Sequence, residues 1–498
     1  KHNINTVAGI SYTQNKSEFI NTNATNFPDD EVMVTPGAAS NVSLTSGGTI
    51  SGLSSYFLRA NYNFDNKYYF TFTGRSDKST KFGPENRWGY FPSGAIAWRI
   101  SKEDFLEDVN FINDLKIRSS YGKTGSANFS DFQYATFFTS GSFYNNNNGV
   151  ISNTIPNPAI RWETTNQLDV AIDYSLWDRR INGTIGFFNK KTSDQILLRD
   201  VILETGGSSQ YSNIGDFLNR GFEFQIGVDV ISNEKFQWTS ELNLTTIKSK
   251  VLKLNGGYYN NLIEGESISY FSGYKVAGIF QNQEQIDALN AASPSGVYQS
   301  TKTAPGDFMF VDTNKDGYIG GDDNTIIGNA EPDFFGGWNN IVRFGNFEVS
   351  AMFNFSVGNY LYNSNKKDLL IFNNYTSNYS TDIQNAWTPT NTDTNIPRLV
   401  SGDPNNNRRD SNFFIEDASF FKFKNLNVTY KFNPKLLQKL FIQRASISLS
   451  ASNIFTITSY SGLDPEVNYS PASNFNQGYD SASYPAVKTF TLGLNLNL

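Results

Sequence analysis

The feature that most constrains this chain is alternation of apolar and polar residues with a period of two. From Tyr68 to Arg75, rings fall at Tyr68, Phe70 and Phe72 with mostly polar groups between them. The same period carries Leu168, Val170, Ile172, Tyr174 and Leu176 against Asp169, Ala171, Asp173 and Ser175. It returns in Phe222, Phe224, Ile226, Val228 and Val230 against Glu223, Gln225, Gly227 and Asp229. Successive side chains on a strand point to opposite faces, so each segment predicts a strand with one greasy and one wet face. With further segments near 4–12, 56–64, 92–100, 115–122, 181–189, 236–245, 336–344, 347–357, 420–432, 445–451 and 489–498, the reading gives about 14 strands. The phase slips by one residue near Lys424 and Asn425, which predicts a β-bulge there.

The connections choose among all-β folds. Alternate links are short: Asp65 to Lys67, 101–114, Trp177 to Arg180, Ser232 to Lys235, Gly345-Asn346 and 433–444. The links between them are long: 13–53, 76–91, 123–161, 190–218, 250–335, 359–419 and 456–488. A soluble sandwich or propeller has no reason to lengthen every second loop, whereas outer-membrane barrels join short periplasmic turns to longer outer loops. Strands of about ten residues also suit a tilted crossing of the apolar layer. The predicted fold is therefore an all-β antiparallel transmembrane barrel with long extracellular loops. It must be closed, or completed by other strands, because every backbone N–H and C=O in lipid needs a partner. The apolar faces then meet lipid, and Lys116, Arg118, Asp169, Asp173, Glu223, Asp229, Glu241 and Glu348 line a wet lumen. Tyr56, Phe64, Tyr68, Trp98, Tyr174, Trp238 and Phe432, at strand ends, read as interfacial girdle.

Composition agrees and removes competing functions. Only 38% of the 498 residues are apolar while 15% are aromatic, an odd balance for packed soluble domains. With no Cys and a single His, His2, there is no material for disulfides, thiolate chemistry, His-rich zinc sites or His-based triads, so an enzyme is not expected. A net charge of -7 argues against a nucleic-acid surface. No apolar run is long enough for a transmembrane helix. The chain opens at "KHNINTVAGISY" already in a strand pattern, as mature numbering or a fragment would.

Several segments carry a resemblance. "RSDKSTKFGPENRWGYFPSGAIAWRIS", "LKIRSSYGKTGS", "NPAIRWETTNQLDVAIDY", "NRGFEFQI", "PGDFMFVDTNKDGYIGGDDNTIIGNAEPDFFGGW", "ASNIFTITSYSGLDPE" and "YPAVKTFTLGLNLNL" resemble, in order, the C-terminal barrel of SusC-like TonB-dependent transporters of Bacteroidota. The likeness runs from about residue 58 to the end. It implies an outer-membrane importer with a 22-stranded barrel, of which the strands here are a part. It further implies a plug domain and a TonB-contact segment, both preceding residue 1. The implied partners are a SusD-like surface lipoprotein over the barrel mouth and TonB as energy source, and the implied substrates are oligosaccharides or peptides. The family commonly ends in Phe where this chain has Leu498, but Phe490, Leu492, Leu494 and Leu496 keep the alternation. A passive diffusion barrel, or a barrel-anchored adhesin or assembly component, are the alternatives.

Two candidate sites lie in the long loops. Within 250–335, residues 312–323 read "DTNKDGYIGGDD", with oxygen donors at loop positions 1, 3 and 5 (Asp312, Asn314, Asp316), the turn glycine Gly317 at 6, the carbonyl of Tyr318 at 7 and apolar Ile319 at 8. That is EF-hand spacing, and it predicts a structural Ca2+ site. Position 12 is Asp323, shorter than the usual Glu, with Asp322 as a substitute. Extended residues precede the loop, so a sensor-like pair of helices is not expected; a short helix is read at 282–291. An Asx-rich turn holding itself without metal is the competing reading. The second site is weaker: rings among amides, chiefly Tyr258 and Tyr259, offer platforms for substrate, although packing of the loops or of the lid explains them equally.

Overall fold

The structure, a computed structural model, describes every residue except 30, 137–138, 145–146, 152–154, 203, 205–208, 256–261, 438–440, 470–474, 476 and 498. Its main feature is one sheet of 14 strands. These are β1 (His2–Thr25), β2 (Asn41–Phe64), β3 (Tyr68–Ser79), β4 (Trp88–Arg99), β5 (Ile112–Ser126), β6 (Glu163–Leu176) and β7 (Ile181–Asp200), then β8 (Ser209–Ser232), β9 (Phe236–Leu254), β10 (Phe334–Phe344), β11 (Phe347–Val357), β12 (Phe420–Lys431), β13 (Arg444–Thr458) and β14 (Thr489–Asn497). Each pairs antiparallel with its sequence neighbours, and β1 and β14 are the two edges. Every strand read from the alternation is present. So is the bulge: the register shifts between Phe423 and Asn425 against β13, and opposite Met352 and Phe353 on β11.

The register aligns the apolar side chains into rows that run across the sheet. Phe64, Tyr68 and Trp98 share one row at the short-turn end, and Tyr56, Ser76 and Tyr90 share another toward the long loops. The girdle has a physical anchor. Glu103, in the turn after β4, accepts from the Tyr68 hydroxyl at 2.7 Å and from the Trp98 indole at 2.9 Å. Each ring thus keeps its body in the apolar layer and its polar tip at the water.

The wet face is held by ion pairs. Asp173 sits 3.1 Å from Arg118 and 3.7 Å from Lys116, Asp114 pairs with Arg99 at 2.7 Å, and Glu348 lies between Arg343 and Lys431 at 3.0 and 2.8 Å. Glu223 and Glu241 stay exposed on the same face.

Three features depart from the sequence reading. Residues 13–53 form only a short loop at 26–40, because β1 and β2 continue as a two-stranded ribbon far past the end of β3. Both faces of that ribbon meet water, so no alternation marks it. β7, β8 and β9 also run beyond the apolar layer, where Leu197, Ile214, Phe217, Val251 and Leu262 form a separate buried cluster. Lastly, β4 and β5 part above the pair Ser93 and Gly122. Phe91, Trp162, Phe82 and Ile160 fill that gap as a buried cluster, and a Cβ on Gly89 or Gly125 would come within 2.4 or 2.0 Å of the Phe91 ring. Only glycine fits at those two positions.

Candidate functional site: the outer mouth

The loops after β9, β11 and β13 do not project separately. Short strands order the first loop within itself, Tyr270–Gly273 pairing with Thr325–Asn329 and Val276–Ile279 with Phe308–Phe310, and a bridge between Tyr274 and Ser411 joins it to the middle loop. Tyr360–Asn363 lies between Ile415–Asp417 and Tyr479–Asp480, so the last loop joins the middle one. Phe271, Phe308, Phe310, Tyr362, Ile371, Trp387 and Phe414 form their shared core. These loops are one folded cap, with a helix, α1 (Gln283–Ala292), on it where the sequence indicated. Asn282 caps that helix by accepting from the backbone N–H of Gln285 at 3.0 Å.

The buried carboxylate at the centre of the cap is matched. Asp307 is 0% exposed and accepts two bonds from Arg398, at 2.8 and 3.0 Å, one from Asn407 at 3.1 Å and one from the Ala304 N–H at 2.9 Å. The guanidinium of Arg409 stacks between Tyr274 and Phe310, with centroid distances of 4.8 and 4.5 Å. Burial lowers its pKa from the ordinary arginine value. Burial, then the bond to Asp410, pushes the Tyr362 hydroxyl far above the tyrosine range; burial and Asp480 do the same to Tyr460.

A second feature fastens the cap to the sheet. Lys422, on the wet face of β12 and 2% exposed, reaches Asp464 at 3.1 Å and Glu466 at 2.5 Å, both in the last loop. Lys424 adds a contact to Glu466 at 3.0 Å, and the amide of Asn354 on β11 donates to it at 2.6 Å. Burial disfavours the Glu466 carboxylate, but these two lysines outweigh it and hold its pKa below the ordinary glutamate value. Sequence reading had noted Asp464-Pro465-Glu466 only as part of a resemblance. What it lacked was the partner, which lies 42 residues away for Asp464.

The candidate cation loop folds as a turn about Gly317, whose φ is +88°. Asp312 accepts from the backbone N–H groups of Lys315 at 2.6 Å and Gly317 at 2.8 Å, and Asp316 from that of Tyr318 at 3.1 Å. Asp323, fully buried, accepts from the N–H groups of Thr313 at 2.7 Å and Gly320 at 2.8 Å. Among the described residues no three His, Cys, Asp or Glu side chains gather as a metal-holding group. Asp312 Oδ1 accepts a second bond, from the Asp316 N–H at 3.3 Å, which fills its two lone pairs, whereas Asp312 Oδ2 and each oxygen of Asp316 accept one bond and keep one lone pair. The loop as seen is the self-bonded Asx turn. Tyr258 and Tyr259 lie outside the described residues. Of the other rings in the loops, Trp387 is packed and donates its indole N–H to Gln281 at 2.9 Å, and Tyr379 packs on Phe372 with centroids 5.1 Å apart.

An antiparallel sheet greasy on one face and ion-paired on the other, with short turns at one end and a folded cap at the other, is the wall of an outer-membrane β-barrel. Residues 2–454 match the family described as TonB dependent receptor-like, beta-barrel, and the chain belongs to that family. It is 35% identical over 519 residues to TonB-dependent receptor P3 of Formosa agariphila, covering 99% of this chain and 50% of that one. To TonB-dependent receptor SusC of Bacteroides thetaiotaomicron it is 32% identical over 477 residues, covering 91% of this chain and 44% of the other. The chain thus spans about half the length of the relatives it matches. Its fold matches the structure of the RagAB peptide transporter with a TM-score of 0.83 at 23% identity, covering 100% of this chain and 53% of that chain.

Proposed function

We propose that this chain is the C-terminal barrel wall and outer gate of a TonB-dependent importer that takes oligosaccharides or peptides across the outer membrane. The observation that carries the reading is the cap: three long loops share one core at one mouth, an arrangement suited to admitting a bound cargo. An open diffusion pore gains nothing from it. The remaining strands of a 22-stranded barrel, a plug and a TonB-contact segment belong to the N-terminal half of such a protein. They would pair with the edges β1 and β14 and fill the ion-paired lumen. A SusD-like lipoprotein over the cap is the proposed partner, in keeping with likeness to SusC and to the RagAB peptide transporter. Asp312, Asn314, Asp316, the Tyr318 carbonyl and Asp323 would hold a structural Ca2+ in the cap, neutralising acidic side chains crowded around one turn.

The test is uptake by the full-length protein in cells with and without TonB, using labelled oligosaccharide and peptide mixtures. Uptake that stops without TonB supports the importer. Uptake that continues without TonB favours a passive barrel, and surface adhesion with no uptake favours an anchor.

A further inference from the structure

The lipid-facing side of β1 to β4 is not an even wall. Three outward rows follow one another toward the cap: Ala8, Leu58, Gly74 and Pro92, then Ile10, Tyr56, Ser76 and Tyr90, then Tyr12, Ser54, Lys78 and Trp88. Small side chains at Ala8, Gly74, Ser76 and Pro92 sink the surface between Tyr56 and Tyr90, and a groove of about 770 Å³ opens there. A Cβ on Gly74 would meet only the Phe72 ring, at an ordinary 3.7 Å, so the hollow is not occupied by neighbouring side chains.

A cation stands above the hollow. The ammonium of Lys78 lies 5.4 Å from the Trp88 ring centroid, and Trp88 in turn stacks on Tyr56 with centroids 6.1 Å apart. Depth follows from strand geometry. From Tyr68, in the girdle at the short-turn end, to Lys78 is about 33 Å along the strand, or about 25 Å along the membrane normal at a usual tilt. That equals the height of the apolar band, so Lys78 is level with the headgroups while the hollow beneath it is level with acyl chains.

We propose that this groove binds one phosphorylated glycolipid of the outer leaflet, with an acyl chain in the hollow between Tyr56 and Tyr90 and a phosphate against Lys78. A lysine in place of a neutral residue at a lipid-facing interface costs little when it snorkels and gains when the headgroup is anionic. A neutral lipid would use the hollow but not the cation. The inference rests on the long loops facing outward, which labelling an engineered cysteine at Lys302 in intact cells tests independently of lipid.

The full-length transporter, reconstituted in phosphatidylcholine bilayers doped with bisphosphorylated lipid A or with its dephosphorylated form, is extracted into mild detergent. Retained lipid is then counted by native mass spectrometry. Wild type should keep one phosphorylated lipid A per chain that Gly74→Leu, which fills the hollow, does not keep. Lys78→Gln should retain about fivefold less, the factor one lysine contributes near an anionic surface, and dephosphorylated lipid A on wild type should match it. Both substitutions face lipid, and unchanged heat-modifiable migration on gels shows that the barrel is intact. Equal retention by wild type and Gly74→Leu overturns the site, and equal retention of the two lipid A forms overturns the phosphate contact.

Discussion

Replacing Arg398 by Met strips the buried Asp307 of its ion pair and leaves the surrounding core in place. Asp307 is 0% exposed, while the Arg398 side chain keeps 26% of its surface in water. The two ends of the pair are therefore unequal. Without Arg398, Asp307 retains one amide donor from Asn407 and one backbone N–H but has no counter-charge and no water. Removing one partner of a buried pair costs about 3–5 kcal/mol, and Arg398→Met should fall within that range. Asp307→Asn leaves a charge that can turn to solvent and one oxygen that still accepts, but sets an NH2 where the other oxygen accepted, so its cost should be about 1.5–3 kcal/mol, the scale of a hydrogen bond to a charged group. Proteolysis of the cap in intact cells reads this directly, since cleavage of a transiently opened segment follows the population of the open form. Arg398→Met should raise cleavage within the cap by about two to four orders of magnitude, and Asp307→Asn by about ten- to hundredfold, with barrel abundance unchanged. If Asp307→Asn is the more damaging change, or if Arg398→Met leaves cleavage at the wild-type rate, the buried pair does not hold the cap.

The remaining expectations concern the latch, the cation loop, orientation and pH. Lys422→Met should release the last loop, so that hydrogen exchange at Tyr479 and Asp480 rises while exchange in β12 and β13 stays slow; equal protection in both would show that Asp464 and Glu466 are not its anchor. Calcium should protect the 300–330 loop from protease, and Asp316→Ala should abolish that protection; no effect of calcium, or none of the substitution, leaves the loop as a self-bonded Asx turn. An impermeant thiol reagent on intact cells should label a cysteine at Lys302 and not one at Asp178, and the reverse pattern would invert the orientation. Burial raises the Glu416 pKa, but bonds from Ser461 and the charge of Lys366 outweigh it, so its folded value lies below the ordinary one, as for Glu466. Such groups contribute stability that is fully present above the unfolded value and lost as pH falls through the folded one. Cap protection should therefore be flat near neutrality and decline only below the ordinary glutamate value; a decline between pH 7 and 6 would contradict it.

The sheet was legible because lipid and lumen impose opposite demands on alternate residues. Leu168 to Leu176 or Phe222 to Val230 can be read without any neighbour. Even the slip at Lys424 and Asn425 showed, since a bulge shifts that phase by one residue. The ribbon beyond Tyr12 did not show, because Thr13 to Thr25 and Asn41 to Ile50 are exposed on both faces and have no phase to reveal. The cap was hidden for another reason. Its strands are two to five residues long and pair across long separations, and its charged pair, Asp307 and Arg398, lies 91 residues apart. Short elements stabilised by distant partners leave no local period. The cation loop lies between these cases: its residue spacing was readable, whereas the turn of each carboxylate toward the loop's own amides depends on backbone geometry.

Sharing one core changes how the mouth can open. Tyr362 from the middle loop packs with Phe271 from the first and Tyr479 from the last, at centroid distances of 6.4 and 5.3 Å. Moving one loop alone would expose rings of the other two, and each fully exposed large apolar side chain costs about 1.5–3 kcal/mol. Moving the cap as a body leaves that core intact but breaks what fastens it to the wall: the contacts of Lys422 and Lys424 with Asp464 and Glu466, the bond from the Ser249 N–H to Glu331, and the packing of Leu262 and Phe475 against the cluster of Phe217 and Val251. Lys422 is 2% exposed and Asp464 8% exposed, so separating that pair uncovers buried charge and is itself costly. Both paths therefore break buried contacts, and displacing one loop disturbs the two that share its core. Core and latch thus hold different things: the rings keep the loops together, and the lysines tie the last loop to β12.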